Sequence, residues 1–269
     1  MRLPLPVILA LAALAACRSS SIAPAAPAPT PAASAVRLNY ASGNQLLAAM
    51  HDRYAGTWYH SLTFVQKTSR LQPDGKWKVD TWYEAMKVPG RLRIDFAPLT
   101  GGNGVVYAHD SAFTLSNGRA LPGQPAINPL LLLGFDVYAN APERTAALLR
   151  KEKFDLSVVH VDTLFHRPMI VVGARAGDML TKQFWVDAEH LYFVRTLEAA
   201  PREPTKVQDV RFVDYRREGG GWMAPRVEIH TDGKLVFTEE YSDVKSNVAL
   251  DDALFDPSKV KTTKHWFTP

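Results

Sequence analysis

The spacing of apolar residues along the chain changes twice, and each change marks a boundary between kinds of structure. Leu46, Leu47, Met50 and Tyr54 recur at helical spacing behind Ser42 and Asn44, either of which can cap, and Gly56 closes the helix. From Trp58 the period becomes two. Trp58, His60, Leu62 and Phe64 alternate with Tyr59, Ser61, Thr63 and Val65, which reads as a long strand. Pro73-Asp74-Gly75 turns the chain into a partner strand that sets Asp80, Trp82, Glu84 and Met86 on one face. After Pro89-Gly90 a third strand alternates Leu92, Ile94 and Phe96 with Arg91, Arg93 and Asp95, apolar in and charged out. Short strands at 104–109 and 112–115 follow.

The middle of the chain breaks this pattern. Pro129 ahead of Leu130-Leu131-Leu132-Leu133, with Gly134 behind, predicts a short helix, and a second is predicted over Pro142–Lys151. Strands resume at 154–161 and continue to 235–244, with Gly219-Gly220-Gly221 and Asp232-Gly233 as turns. The count approaches ten or eleven antiparallel strands with few helices. A sheet of that size must close, curl or be covered to manage its edges and apolar face.

The N-terminus does not belong to this domain. Leu14-Ala15-Ala16-Cys17 ends an apolar run that opens with Arg2 and resembles a bacterial lipobox, and Cys17 is the chain's one cysteine. The run is too short to span a bilayer core, which needs roughly 20 apolar residues. The resemblance implies cleavage before Cys17 and acylation of its thiol by diacylglycerol. Cleavage after Ala15-Ala16 by an ordinary signal peptidase, leaving an incidental thiol, is the alternative. Ser, Ala and Pro dominate from Arg18 to Ala35, a composition that buries no core and reaches up to about 50 Å as an extended tether. By resemblance to lipoprotein sorting signals, Arg18 in place of Asp favours the outer membrane. The expected organisation is a signal peptide at 1–16, a lipidated cysteine and tether at 17–36, and one β domain at 37–269. With 46% apolar residues and a formal charge of +4, its basic and acidic residues interleaved, the chain shows no nucleic-acid footprint.

The order of elements resembles the LolA/LolB family of lipoprotein-localisation factors. The residues that carry the resemblance are Leu46-Leu47-Ala48-Ala49-Met50 leading into Phe64-Val65-Gln66, the hairpin from Met86 through Pro89-Gly90 to Ile94, Phe184-Trp185-Val186-Asp187 followed by Val194-Arg195, and the closing stretch from Asn247 to Phe255. The resemblance implies a mainly β (α+β) fold: a strongly curved antiparallel half-barrel with covering helices and an apolar cavity for acyl chains. A half-barrel too wide for its own side chains leaves such a space. Trp58, Leu62, Phe64, Trp82, Met86, Leu92, Ile94 and Phe96 are the candidate lining residues, with Leu130 and Leu133 on the lid. One departure is Val88, which stands where the family's soluble carrier has an arginine implicated in lid movement.

Other chemistry is sparse. His160 and Asp162 share a strand face and could supply two metal ligands, with His166 at a turn beyond them. His51-Asp52 and His109-Asp110 are sequence neighbours, which do not ordinarily face one another. No Gly-x-Ser-x-Gly elbow is present, and Gly101-Gly102-Asn103-Gly104 lacks the Lys-Ser/Thr ending of a phosphate loop. The expected protein is not an enzyme and needs no cofactor or metal. Its expected partners are lipid acyl chains or lipoproteins, the membrane through Cys17, and a periplasmic protein, with no nucleic acid. A sensing lipoprotein on the same scaffold, as in RseB-type regulators, and a metal-dependent hydrolase using His160 and Asp162 are the alternatives.

Overall fold

A computed structural model describes residues 39–268. The signal segment, Cys17 and the tether lie outside the described residues. Helix α1 (Gly43–Tyr54) starts where Ser42 Oγ accepts from the Gln45 backbone N–H, and it buries Leu46, Leu47, Met50 and Tyr54 along one side. The first strands are β1 (Ser61–Leu71), β2 (Trp77–Lys87), β3 (Arg91–Phe96), β4 (Gly104–Ala108) and β5 (Ser111–Ser116), with two-residue β6 (Arg119–Ala120) and β7 (Gln124–Pro125). Then come α2 (Pro129–Gly134), a 3₁₀ turn at Asp136–Tyr138 and α3 (Pro142–Lys151). The second set is β8 (Val159–Leu164), β9 (Arg167–Val172), β10 (Gln183–Asp187), β11 (Phe193–Ala200), β12 (Glu203–Val213), β13 (Arg216–Glu218), β14 (Gly221–Met223), β15 (Arg226–Thr231) and β16 (Lys234–Ser246).

Fourteen of these strands form one antiparallel sheet, ordered β6-β5-β4-β3-β2-β1-β16-β15-β12-β11-β10-β9-β8, with β7 beside β5. The sheet stays open, with edges at β6 and β8, and curls around the helices as a half-barrel. Its middle is the β1–β16 pair, which joins the first strand to the last across an irregularity between Thr63 and Val65. The sheet holds more strands than the alternation suggests because β6 and β7 are too short to display a period of two.

Several strand boundaries also move: the strand expected at 180–187 begins at Gln183, the one expected at 222–230 divides into β14 and β15, and two further shifts have a packing reason. The strand expected at 154–161 begins only at Val159, because Phe154 and Leu156 turn into the core. There the Leu156 carbonyl accepts from Gly43 N–H at 2.7 Å, and a Cβ on Gly43 would stand 2.7 Å from Val172 Cγ1, so only glycine lets α1 approach this closely. Strand β1 begins at Ser61 instead of Trp58, and Trp58 stacks on Tyr138 with ring centroids 3.7 Å apart.

The concave face carries the main core. Leu62, Phe64, Met86 and Leu92 from one side and Ile170, Val172, Phe184, Val186 and Phe193 from the other meet α1, α2 and α3. The convex face is not simply solvated. Arg93 and Asp95 do point away from the apolar set, but the C-terminal segment covers them and each is 5% exposed. Arg93 Nε donates to Asp95 Oδ2 at 2.8 Å, and His265 Nε2 lies 3.0 Å from the same oxygen. Burial alone would raise the Asp95 pKa, but the bonds from His265 and Arg93 outweigh it and hold the carboxyl below its usual range.

Candidate apolar cavity

Helix α2 is short, and its sequence explains how it holds its place. Asn128 caps it, its side-chain oxygen accepting from the backbone N–H groups of Leu130 and Leu131 at 3.0 and 3.2 Å, and Pro129 occupies the first turn, where no donor is needed. The helix settles over the concave face, where Gly134 lies close enough that an added Cβ would be 3.2 Å from Phe212 Cε1. The following turn is tied to the sheet, since the Gly90 N–H in the β2–β3 hairpin donates to Asp136 Oδ1 at 2.9 Å. Burial pushes Asp136 up to about 7, against the opposing effects of that N–H and of Arg144.

Between α2 and the sheet is a cavity of about 90 Å³. Phe64 on β1, Trp82 and Met86 on β2, and Leu92 and Ile94 on β3 form its floor, and Leu130 and Leu131 of α2 form its roof. Phe212 and Tyr241 bring in β12 and β16. The pairing register explains the grouping: Trp82 faces Gln66 across β1 and Phe96 across β3, while Met86 faces Leu62 and Leu92. Phe64 and Tyr241 pack with ring centroids 4.4 Å apart. Beyond Trp82 the concave face opens into a second cleft of about 300 Å³, lined by Arg70, Lys78, Asp80, Trp82, Phe96 and Asn103. Trp82 lines both spaces and stands between them, with Phe96 packed against it at a centroid distance of 4.9 Å.

The structure therefore divides the candidate lining residues. Phe64, Trp82, Met86, Leu92, Ile94 and Leu130 line the inner cavity, and Phe96 lines the outer cleft. Leu62 and Leu133 are fully buried in the packed core, and Trp58 belongs to an aromatic group with Tyr54, Tyr59 and Tyr138. Glu84, Asn128, Leu131, Phe135, Phe212, Glu239 and Tyr241 complete the inner lining but were not among the candidates. The signal for Glu84 was in its strand, since it shares a face with Trp82 and Met86. Val88 is buried, and its N–H donates to the His60 carbonyl at 2.9 Å, so this position is part of the hairpin's packing.

The histidine candidates fare differently. His51 Nδ1 lies 3.0 Å from Asp52 Oδ1, so these sequence neighbours do meet, at the helix surface. His160 Nδ1 is buried without a hydrogen-bond partner, while Asp162 Oδ1 accepts from its own neighbour, Thr163 N–H, at 2.6 Å. Among the described residues, metal-type ligands gather in threes at Asp187, Glu189 and His190, not at His160 and Asp162. Asp187 there accepts from the backbone N–H groups of Glu189 and His190 and pairs with Arg167 at 2.9 Å, the bonds of a salt-bridged turn. Among the described residues, no helix is long and apolar enough to cross a membrane.

No protein-family model and no curated protein matches the chain. Similar solved structures do exist. A domain assigned to outer-membrane lipoprotein sorting, from Vibrio parahaemolyticus, superposes with a TM-score of 0.54 at 10% identity, covering 81% of this chain and 98% of that one. A DUF1329 family protein from Desulfovibrio piger gives 0.52 at 15% identity, with 81% and 97% covered. A LolA superfamily protein from Nitrosomonas europaea gives 0.50 at 9% identity, with 80% and 98% covered. The fold is LolA-like, an open curved sheet closed over by helices. At these identities the likeness is one of fold.

Proposed function

We propose that this protein is a lipid-anchored component of the Gram-negative cell envelope that holds the acyl chain of a lipid or lipoprotein in the cavity beneath α2. The observation that carries this reading is the apolar lining itself: Phe64, Trp82, Met86, Leu92, Ile94 and Leu130 from four elements face one space. Its likeness to folds from lipoprotein-sorting proteins supports the same reading, with Cys17 as the anchor and the tether giving the domain reach from an outer-membrane surface into the periplasm. About 90 Å³ is the room of roughly three water molecules, far less than an acyl chain occupies. Loading therefore requires α2 to move off the sheet, and the outer cleft beyond Trp82 provides the direction in which the chain extends. Burial drives the exchange at about 0.8 kcal/mol per methylene.

The test is native mass spectrometry of the Cys17→Ser chain, which carries no lipid of its own, offered phospholipid and an acylated peptide. One bound acyl ligand per protein is expected, with Trp82→Ala weakening it about tenfold. Protein that retains no acyl ligand of any kind would remove the proposal.

A further inference from the structure

Glu84 interrupts the apolar floor of the cavity. It lies on β2 between Trp82 and Met86, opposite Phe64 on one side and Ile94 on the other, and it is 5% exposed. No protein group among the described residues hydrogen-bonds to its carboxyl, which borders the cavity. Glu239 lines the same space from β16, and its Oε2 accepts from the Tyr241 hydroxyl at 2.5 Å. No lysine or arginine lines this cavity. A buried polar group without a partner costs about 1–3 kcal/mol, and its place beside a cavity that α2 must open for loading points to a partner supplied from outside.

The chemistry narrows that partner. Two carboxyls in one apolar space, with no cation nearby, disfavour a carboxylate or phosphate and favour a positively charged donor. Resting on the acyl-chain reading above, we propose that the ligand carries a protonated primary amine that hydrogen-bonds to Glu84 and Glu239 while its apolar chain runs between Trp82, Ile94 and Leu130. Burial, and then the neighbouring Glu239, raises the Glu84 pKa well above the ordinary carboxylate range, and burial raises Glu239 as well. Both carboxyls therefore hold a proton to higher pH than an exposed glutamate does. An ammonium competes with that proton for the pair, so amine binding is expected to displace it.

The experiment compares dodecylamine, 1-dodecanol and dodecanoic acid on the Cys17→Ser chain by isothermal titration calorimetry in two buffers of different ionisation enthalpy. The amine is expected to bind at least tenfold more tightly than the acid and to release protons, a signature the alcohol lacks. In Glu84→Gln, and in the Glu84→Gln/Glu239→Gln pair, amine and acid should come within about threefold and the proton signal should vanish, with circular dichroism showing the fold retained. A lysophosphatidylethanolamine and an acylated lysine amide separate a lipid headgroup from a peptide side chain as the source of the amine. Preference for either over the fatty acid supports the proposal. Equal binding of amine and acid by the unsubstituted carboxyls overturns this inference and leaves the acyl-chain reading standing; failure of all the amphiphiles to bind overturns both.

Discussion

The two halves of the concave face are built from the same kind of strand and finished differently. On the β9–β11 side, Ile170, Val172, Phe184, Val186 and Phe193 are at most 3% exposed, filled in by α1, α3 and the inward turn at Phe154 and Leu156. On the β1–β3 and β16 side the cover is the six-residue α2, and Trp82, Ile94, Glu239 and Tyr241 remain only half-buried around a cavity. One half is filled by its cover. The other keeps space, with two glutamates and, among the described residues, no lysine or arginine around it. Under the proposed function, stability and ligand capacity fall to different parts of one sheet, and substitutions should separate them.

The largest effect is expected in the packed half. Phe184→Ala should cost about 3–5 kcal/mol in denaturant unfolding while the remaining folded protein binds dodecyl ligands normally. A loss under about 1 kcal/mol would show that this half does not hold the fold. Asp136 lies at the seam, where it ties the turn after α2 to the β2–β3 hairpin. Its folded pKa of about 7 lies above the unfolded value near 4, so the native state binds the extra proton. Stability should fall as pH rises from about 4 to about 7 and level off above. Asp136→Asn keeps an oxygen acceptor for Gly90 and should flatten that slope, gaining on the order of 2 kcal/mol at pH 8; an unchanged pH profile would reject the assignment.

Within the cavity half the sign reverses. Glu84→Met should stabilise the protein by about 1 kcal/mol, since it removes a buried carboxyl without a partner, and should abolish any preference for amines. A destabilised variant would mean that Glu84 has a structural partner. Trp82→Ala should show the smallest change in stability, about 1 kcal/mol or less, because its ring borders open space on two sides. Its effect belongs in ligand titrations.

Alternation along β1 to β3 was enough to place Phe64, Trp82, Met86, Leu92 and Ile94 on a common face, because a strand's period is a local property. What local pattern does not carry is which distant strand closes the site. Tyr241 and Glu239 reach the cavity because β16 pairs with β1, and Phe212 arrives from β12, relations set by topology over more than a hundred residues. The leucine run posed a rotational question that four identical side chains could not answer: Leu130 and Leu131 face the cavity, whereas Leu133 turns into the core. Trp58 was misleading because alternation continued through it although β1 had not yet begun. The convex face concealed Arg93 and Asp95 for a related reason, since their cover, the segment that includes His265, arrives from the far end of the chain.

The sheet's two rims, β6 and β8, are neighbours in sequence only through the stretch that contains α2 and α3. That stretch spans the open side as a string spans a bow. Under the proposed function, lifting α2 pulls on the connections to both rims at once.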